Sequence, residues 1–312
     1  MELAPYTYIR IGGRAEAFWE VRSLEDLRQA LAWRREREIP ECLVLGGGAN
    51  LLVNDERTYP LVIKLERELG ALREEPGRIV AQAGVYLSRL VREGVRAGWG
   101  GVERLAGIPG TLGGAVAMNA GIPSFEIFDL VQEVRGVDER GADVRFTPAE
   151  LRPGYRQGNV PEGVVVTEVV LARGAGDPRA MAAAARELKE QRRAKQPLQF
   201  PSFGSTFVNP GPRPGNGDAP GAPADVGWGA SAAGALLERA GLKGARRGDA
   251  QLSEMHANFV VNLGRARSRD VLDLMVLARR TVAERFGVWL EPEVRLAGFS
   301  PEDLLPLRET GA

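Results

Sequence analysis

The 312-residue sequence contains little of the chemistry that most metal and nucleophile sites need: it has one cysteine, Cys42, and one histidine, His256. A single cysteine excludes an intrachain disulfide framework and suits a reducing compartment. A lone histidine makes a histidine-based metal site or a serine–histidine triad unexpected, and we predict no metal. Because Cys42 precedes the apolar run 43–45, the sequence indicates a buried structural thiol.

The sequence also lacks net charge and long hydrophobic runs. Its 41 basic and 41 acidic residues cancel, so nothing indicates a nucleic-acid partner or an anionic membrane surface. Residues 105–125 carry no charge, but their glycines and prolines make a poor membrane-spanning helix. Residues 1–13 lack the basic and apolar parts of a signal peptide. We expect a cytoplasmic enzyme without membrane insertion; its oligomeric state is not readable from the sequence.

Apolar periodicity predicts helices and strands that alternate in patches, without an internal repeat. Ser23 begins a Ser-x-x-Asp capping pattern, and Ser268 is expected to cap a helix that runs to about residue 286. The fold class is therefore mixed α/β and α+β in three segments, 1–66, 67–194 and 195–312, with a Gly/Pro-rich tract at 210–229. Further helices are predicted at 87–98, 178–194 and about 232–240, and strands at 42–46, 61–65, 131–138, 164–172, 258–262 and 289–298.

The first glycine-rich stretch, "LGGGANLLV" (45–53), follows a short apolar run. A Rossmann fingerprint is one interpretation, with Glu66 as the ribose-binding acid. However, Leu51 replaces the third glycine, and the residues up to the next strand are too few for a crossover helix. The glycines are better interpreted as exposing backbone N–H groups in an anion-binding nest, and an ordinary glycine turn is the alternative.

The second glycine-rich stretch is "AGIPGTLGGAVAMNAG" (106–121), in which Thr111 is placed to cap a short helix. Free loop amides near a helix start favour anions. The two stretches together are suited to hold the two phosphates of one dinucleotide from opposite sides. A pair of ordinary turns is the alternative.

Three shorter stretches offer polar chemistry. Arg156 follows Tyr155 in a predicted loop, and Ser205 lies in "SFGSTFVNP" with no evident base to activate it, which suits a proton donor better than a nucleophile. Glu293 and Arg295 are two apart on a predicted strand and should share a face. In a cleft the pair would stabilise an enolate; on the surface it would be a weak salt bridge. His256 and Asn258 favour core or capping roles.

Taken together, these stretches resemble the UDP-N-acetylenolpyruvoylglucosamine reductase family over nearly the whole chain. The resemblance implies an FAD-binding domain of the vanillyl-alcohol-oxidase type in two subdomains (1–66 and 67–194) and a C-terminal α+β substrate-binding domain (195–312). The matching stretches, in the family's order, are "TYIRIGGRA" (7–15), "LGGGANLLV" (45–53), "AGIPGTLGGAVAMNAG" (106–121), "YR" (155–156), "GSTFVNP" (204–210), "AAGALLERAGLKG" (232–244), "HANFVVN" (256–262) and "LEPEVR" (290–295).

The resemblance also implies a reaction: NADPH reduces FAD, and the reduced flavin then reduces the enolpyruvyl ether of a nucleotide sugar for peptidoglycan synthesis. Ser205 would be the proton donor, while Arg156 and Glu293 would stabilise the enol-type intermediate. Substrate contacts are implied for Tyr155, Lys195, Asn209 and Arg295. Flavin contacts are implied for Gly46, Gly47, Gly48, Ala49, Asn50, Leu51, Gly107, Ile108, Pro109, Gly110, Thr111, Gly113, Gly114 and Asn119.

The sequence departs from the family pattern at three positions, where Ala49 replaces a usual serine and Val208 and Met255 replace lysines. The stretch after Arg156 is short, which favours the shorter second type of the family. A flavin oxidoreductase of the same fold that oxidises sugars or lactones is the rival interpretation, but it has no reason to keep Ser205, Arg156 and Glu293 together. A catalytically inert nucleotide-sugar-binding protein is the alternative from another class.

Overall fold

The computed structural model describes residues 1–65, 69–210 and 232–308. Glu66 and nearly all of the predicted Gly/Pro tract lie outside these residues. The chain forms two compact units. The first contains Met1, Ala15–Gly47 and Tyr59–Ala194, and the second contains Glu2–Arg14, Gly48–Thr58 and Lys195–Ala312. The three-part division predicted at residues 66 and 194 stays a prediction.

Helices and strands alternate along the described chain. The α-helices are α1 (Leu24–Glu36), α2 (Leu87–Ala97), α3 (Leu112–Ala117), α4 (Pro148–Leu151), α5 (Pro178–Lys195), α6 (Ala233–Arg239), α7 (Ser268–Phe286) and α8 (Pro301–Leu304). The strands are β1 (Arg14–Val21), β2 (Leu43–Leu45), β3 (Leu51–Val53), β4 (Thr58–Leu65), β5 (Leu72–Glu75), β6 (Arg78–Gln82), β7 (Trp99–Gly100), β8 (Gly121–Ile122), β9 (Phe125–Glu126), β10 (Val131–Val137), β11 (Asp143–Phe146), β12 (Val165–Ala172), β13 (Gly174–Ala175), β14 (Ser202–Ser205), β15 (Arg246–Arg247), β16 (Ala250–Leu252), β17 (Phe259–Asn262) and β18 (Arg295–Ala297).

The first unit is organised by a five-stranded antiparallel sheet in the order β11-β10-β12-β6-β5. Its central strand β12 reads "VVTEVVLA" and is buried on both faces over most of its length, as its β-branched residues predict. A smaller sheet, β1-β4-β2, includes the parallel pair β2–β4. Helices α1 and α2 contribute their apolar residues to the same hydrophobic core.

The second unit contains the four-stranded antiparallel sheet β14-β17-β16-β15, packed with α6 and α7 in its own hydrophobic core. The short parallel pair β3–β18 belongs to the same unit and joins Leu51 to Arg295. Leu52, in the centre of β3, is fully buried in this core. The last part of the first glycine stretch is therefore anchored by apolar packing.

The capping pattern at Ser23 is confirmed: its hydroxyl accepts from the Asp26 N–H, and the Asp26 carboxylate accepts from the Ser23 N–H. Two other sequence predictions are wrong. Ser268 is the first residue of α7 rather than its cap, and its hydroxyl bonds to the Asp55 carboxylate instead. The strand predicted at 289–298 is present only at Arg295–Ala297, because residues before it bond elsewhere.

Candidate active site

The first glycine stretch leaves the buried end of β2 at Leu45 and needs glycine for steric reasons. Gly48 has φ +65°, and a Cβ added there would lie 2.0 Å from the Tyr6 carbonyl oxygen. The Gly48 carbonyl in turn accepts from the Tyr8 N–H at 2.9 Å. A side chain at Gly48 is thus excluded both by the backbone conformation and by the neighbouring chain.

The two glycine-rich stretches lie against each other in the first unit. A Cβ added at Gly46 would be 2.8 Å from Thr111 Oγ1, and one added at Gly47 would be 2.7 Å from Gly110 Cα. At Gly47 backbone approaches backbone directly, whereas at Gly46 the nearest group is the Thr111 hydroxyl. Position 47 therefore tolerates no side chain without a shift of the backbone, and the interpretation of the two stretches as an anion site stays a prediction.

The second stretch is held by hydrogen bonds to the chain that leads into α2. The Leu112 N–H donates to Val85 O at 2.8 Å, and the Gly113 N–H donates to Ala83 O at 3.0 Å. Thr111 is the N-cap of α3 by position, as predicted, but its hydroxyl makes no capping hydrogen bond. The expectation of side-chain capping by Thr111 is therefore wrong.

Arg192 is a residue of this region that no sequence motif indicates. It lies on α5, and its Nη1 donates to Gly107 O at 3.3 Å. Burial, and secondarily the like charge of Arg156, lowers the pKa of Arg192. Nothing in the arginine-rich sequence of α5 distinguishes it from its neighbours, because only the packing brings it to the glycine stretch.

Asn119 joins the second stretch to the turn that carries Arg156. Its Nδ2 donates to Glu126 Oε2 at 2.6 Å and to Gly154 O at 2.8 Å, and the residue is 1% exposed. The side-chain amide therefore donates to one acceptor on Glu126 and to a second on Gly154. A flavin contact by Asn119 stays a prediction.

Arg156 lies at the tip of a tight turn, as predicted, in a left-handed conformation with φ 59°. The turn is closed by reciprocal backbone hydrogen bonds between residues 154 and 157. The guanidinium stacks over the Tyr155 ring at 4.5 Å, donates to Gly121 O at 3.2 Å, and lies 3.7 Å from Glu126 Oε1. Its side chain is only 16% exposed, so its orientation is restricted.

Ser205 and Glu293 are brought together in the second unit by a single residue, Thr206. Ser205 ends β14, and the carbonyl of the next residue, Thr206, accepts from the Glu293 N–H at 2.8 Å. Glu293 precedes β18, so strand alternation does not govern where it points, and the shared face predicted for Glu293 and Arg295 has no strand to support it. Glu293 is half-buried and Arg295 is exposed.

The backbone after Ser205 is fixed by the buried residue Asn258. Its side-chain amide accepts from the Phe207 N–H at 2.9 Å and donates to the Phe207 carbonyl at 2.8 Å. Its own carbonyl accepts from the Thr206 N–H at 2.7 Å, and its N–H donates to His256 Nδ1 at 3.2 Å. Burial, and then the charge of Lys243, lowers the pKa of His256. Asn258 is 3% exposed, which confirms the expected core position for that residue, whereas His256 is half-buried and its role stays a prediction.

The residues predicted to contact substrate do not all belong to the same unit. Tyr155 lies in the first unit, whereas Lys195, Asn209 and Arg295 lie in the second. Lys195 is the exposed last residue of α5. Asn209 accepts from the Ala233 N–H at 3.0 Å, which places its side-chain carbonyl at the start of α6. Their contacts with substrate stay predictions.

Among the described residues, no group of three or more histidine, cysteine or carboxylate side chains is arranged to hold a metal ion. In the same part of the chain, no helix combines the length and apolarity needed to cross a bilayer. Cys42 packs at the edge of the first unit's core, and burial raises the pKa of its thiol to about 11, as a structural cysteine would show.

The class of protein follows from the fold and from the meeting of the two glycine stretches. Residues 15–147 match the model of an FAD binding domain, so the chain is an FAD-dependent flavoprotein. Residues 196–297 match the model of the UDP-N-acetylenolpyruvoylglucosamine reductase C-terminal domain.

Full-length relatives extend these matches. UDP-N-acetylenolpyruvoylglucosamine reductase of Synechococcus sp. (strain JA-3-3Ab) is 40% identical over 97% of this chain and 92% of its own. The enzyme of that name from Anaeromyxobacter sp. (strain K) is 44% identical over 97% of this chain and 86% of its own. The crystal structure of UDP-N-acetylenolpyruvylglucosamine reductase (MurB) from Thermus caldophilus superimposes with a TM-score of 0.76 at 36% identity, covering 96% of this chain and 98% of that one.

The chain belongs to the UDP-N-acetylenolpyruvoylglucosamine reductase family. The predicted family and fold class are thereby confirmed, as is the assignment to FAD-dependent oxidoreductases. The individual roles assigned to the site residues stay predictions.

Proposed function

We propose that this chain reduces the enolpyruvyl ether of UDP-N-acetylenolpyruvylglucosamine to UDP-N-acetylmuramate, with FAD as cofactor and NADPH as reductant. Family membership supports the activity, and one structural observation supports the site: the Glu293 N–H bonds to the residue that follows Ser205. A proton donor and an acid that acts on an enolate have to be close together, and this hydrogen bond links their backbones. We place the enzyme in the cytoplasm, on a nucleotide-sugar substrate.

The residues of the first unit fit FAD. A Cβ added at Gly47 would lie 2.7 Å from Gly110 Cα, so position 47 has no room for a side chain and main-chain atoms line this contact. When bound, FAD would supply the hydride chemistry for the enolpyruvyl double bond, with NADPH as the source of the hydride. We assign its pyrophosphate to the main-chain N–H groups of Gly46 and Gly47 and to those of residues 107–114, apart from the N–H groups of Ile108, Leu112 and Gly113, which donate to carbonyls within the protein.

The protein's own residues then have separable roles. Ser205 holds a proton at Oγ for the carbon next to the substrate carboxylate, and no basic partner is required because the hydroxyl donates rather than attacks. Arg156 supplies a fixed cation for the charge that develops on the enol-type intermediate. Glu293 is assigned to stabilising the same enol-type intermediate. Tyr155, Lys195, Asn209 and Arg295 are assigned to substrate binding.

An anaerobic titration of FAD-loaded protein tests the proposal. The yellow protein should bleach with NADPH and regain its colour with UDP-N-acetylenolpyruvylglucosamine, so that both half-reactions are seen in one cuvette. Bleaching without recovery by that substrate would favour a sugar or lactone oxidase of the same fold. Protein that takes up no FAD would overturn the assignment of the glycine stretches.

A further inference from the structure

Asn50, predicted to contact the flavin, has a different partner in the structure. Its side-chain Nδ2 donates to the main-chain carbonyl of Glu293 at 3.0 Å. Its main-chain carbonyl accepts from the Arg295 N–H at 3.2 Å. The parallel pair β3–β18 begins at the next residue, where Leu51 is opposite Arg295. Asn50 therefore closes this end of the pair and connects the first glycine stretch to Glu293.

The peptide groups on both sides of Glu293 are thereby fixed. Its N–H bonds to Thr206 O at 2.8 Å, and its carbonyl is bonded by Asn50. Glu293 itself lies outside a strand, so no regular ladder holds it. The direction of a side chain follows its backbone, and a displacement of about 1 Å at a reacting group can cost roughly 100-fold in rate. The Asn50 contact is well placed to prevent such a displacement.

We propose that Asn50 is a positioning residue that orients Glu293, rather than a residue that binds the cofactor through its side chain. The inference rests on the proposed function, because it takes Glu293 as the acid of the substrate half-reaction. The amide of Asn50 is suited to this role because Nδ2 is a donor and the acceptor on Glu293 is a carbonyl. A carboxylate in place of the amide would repel that carbonyl.

Asn54 provides a matched control at the other end of the same strand pair. Its Nδ2 donates to Gly298 O at 3.0 Å, the same type of bond with the same length. The bond lies next to Ala297, the last residue of β18, and not next to Glu293. Asn54 Oδ1 also accepts from the Glu56 N–H at 3.0 Å, so Asn54→Ala should weaken the pair at least as much as Asn50→Ala, but only loss of the Asn50 bond should release Glu293.

The experiment compares Asn50→Ala and Asn54→Ala with the wild-type holoenzyme. The FAD dissociation constant is measured by flavin fluorescence, thermal stability by melting, and the two half-reactions by anaerobic stopped flow. We expect Asn50→Ala to slow reoxidation by substrate at least about tenfold. Its FAD dissociation constant and its rate of reduction by NADPH should stay within about threefold of those of Asn54→Ala. Asn50→Asp, which keeps the shape but removes the donor, is the second variant if the alanine protein does not fold.

A double variant identifies the route of the effect. If Asn50 acts through Glu293, then Asn50→Ala added to Glu293→Gln should slow the substrate half-reaction by less than about twofold beyond Glu293→Gln alone. If the double variant instead slowed the substrate half-reaction by the product of the two single-variant factors, the proposal would be overturned. So would a large rise in the FAD dissociation constant, which marks a cofactor contact, or kinetics equal to those of Asn54→Ala, which mark a purely structural bond. Wild-type protein that cannot use the substrate would instead refute the proposed function.

Discussion

Arg156 and the pair Ser205–Glu293 are held in place by different means. The guanidinium of Arg156 is itself fixed, by the Tyr155 ring and by Gly121 O. For Ser205 and Glu293 it is the neighbouring backbone that is fixed. We call these contacts the backbone clamp: Asn258 bonds to the backbone of Phe207, and Thr206 O accepts from the Glu293 N–H. A substitution at Arg156 therefore removes both the group and its anchoring contacts, whereas substitutions at Ser205 or Glu293 leave the clamp intact.

The largest effect is expected from Ser205→Ala. Removal of a general acid costs roughly 10²- to 10⁴-fold in its own step. Reoxidation of the reduced flavin by substrate should slow by that factor, while reduction by NADPH and the melting temperature stay close to wild type. Ser202→Ala, at the other end of β14, is the control: its hydroxyl accepts from the Gly204 N–H at 3.1 Å, so it shows what the loss of a structural hydroxyl in this strand does by itself. Equal loss of both half-reactions would contradict a proton-donor role in the second step.

Arg156→Lys should have the next largest effect. A lysine keeps the charge but loses the planar group that stacks on Tyr155 and donates to Gly121 O, so the cation is no longer held in one position. We expect the substrate half-reaction to fall by about 10²-fold. Arg152→Lys, an exposed arginine at the start of the same loop, should be unchanged. Full activity of Arg156→Lys would show that the reaction does not need the cation to be held in one position.

The backbone clamp is tested by Asn258→Ala. This change leaves the N–H and carbonyl of buried Phe207 without the partners they have in the wild type, at about 1–3 kcal/mol for each unsatisfied group. The free energy of unfolding, measured in denaturant, should fall accordingly.

Thr206→Val is the opposite case, since Thr206 is fully buried and its hydroxyl has no hydrogen-bond partner among the described residues. Valine at that position should leave stability unchanged or raise it. A loss comparable to that of Asn258→Ala would mean that the hydroxyl has a partner after all.

The smallest effect is a pH dependence from His256. Its pKa is lowered in the folded state, so the unfolded chain takes up a proton first as the pH falls through about 6.5. The contribution of His256 to stability is therefore complete above that pH and decreases below it. The difference between the unfolding free energies of wild type and His256→Gln, followed from pH 8 to 5, should show this slope. A flat difference would contradict it.

Local sequence patterns were sufficient for much of the secondary structure, because capping and apolar periodicity act over a few residues. The Ser23 capping box and the valine-rich strand β12 are examples. Local patterns gave wrong predictions where a contact distant in sequence determines the structure. The Ser268 hydroxyl bonds to Asp55, 213 residues away, and the residues before Arg295 pair with segments distant in sequence.

The order of residue types was enough to identify the family, the glycine stretches and the candidate groups. The contacts of Gly47 with Gly110, of Arg192 with Gly107 and of Asn50 with Glu293 arise from the folding of the chain. The last contact joins residues 243 positions apart. No local pattern encodes such a partner, because a side-chain amide can donate to any carbonyl that packing brings within reach.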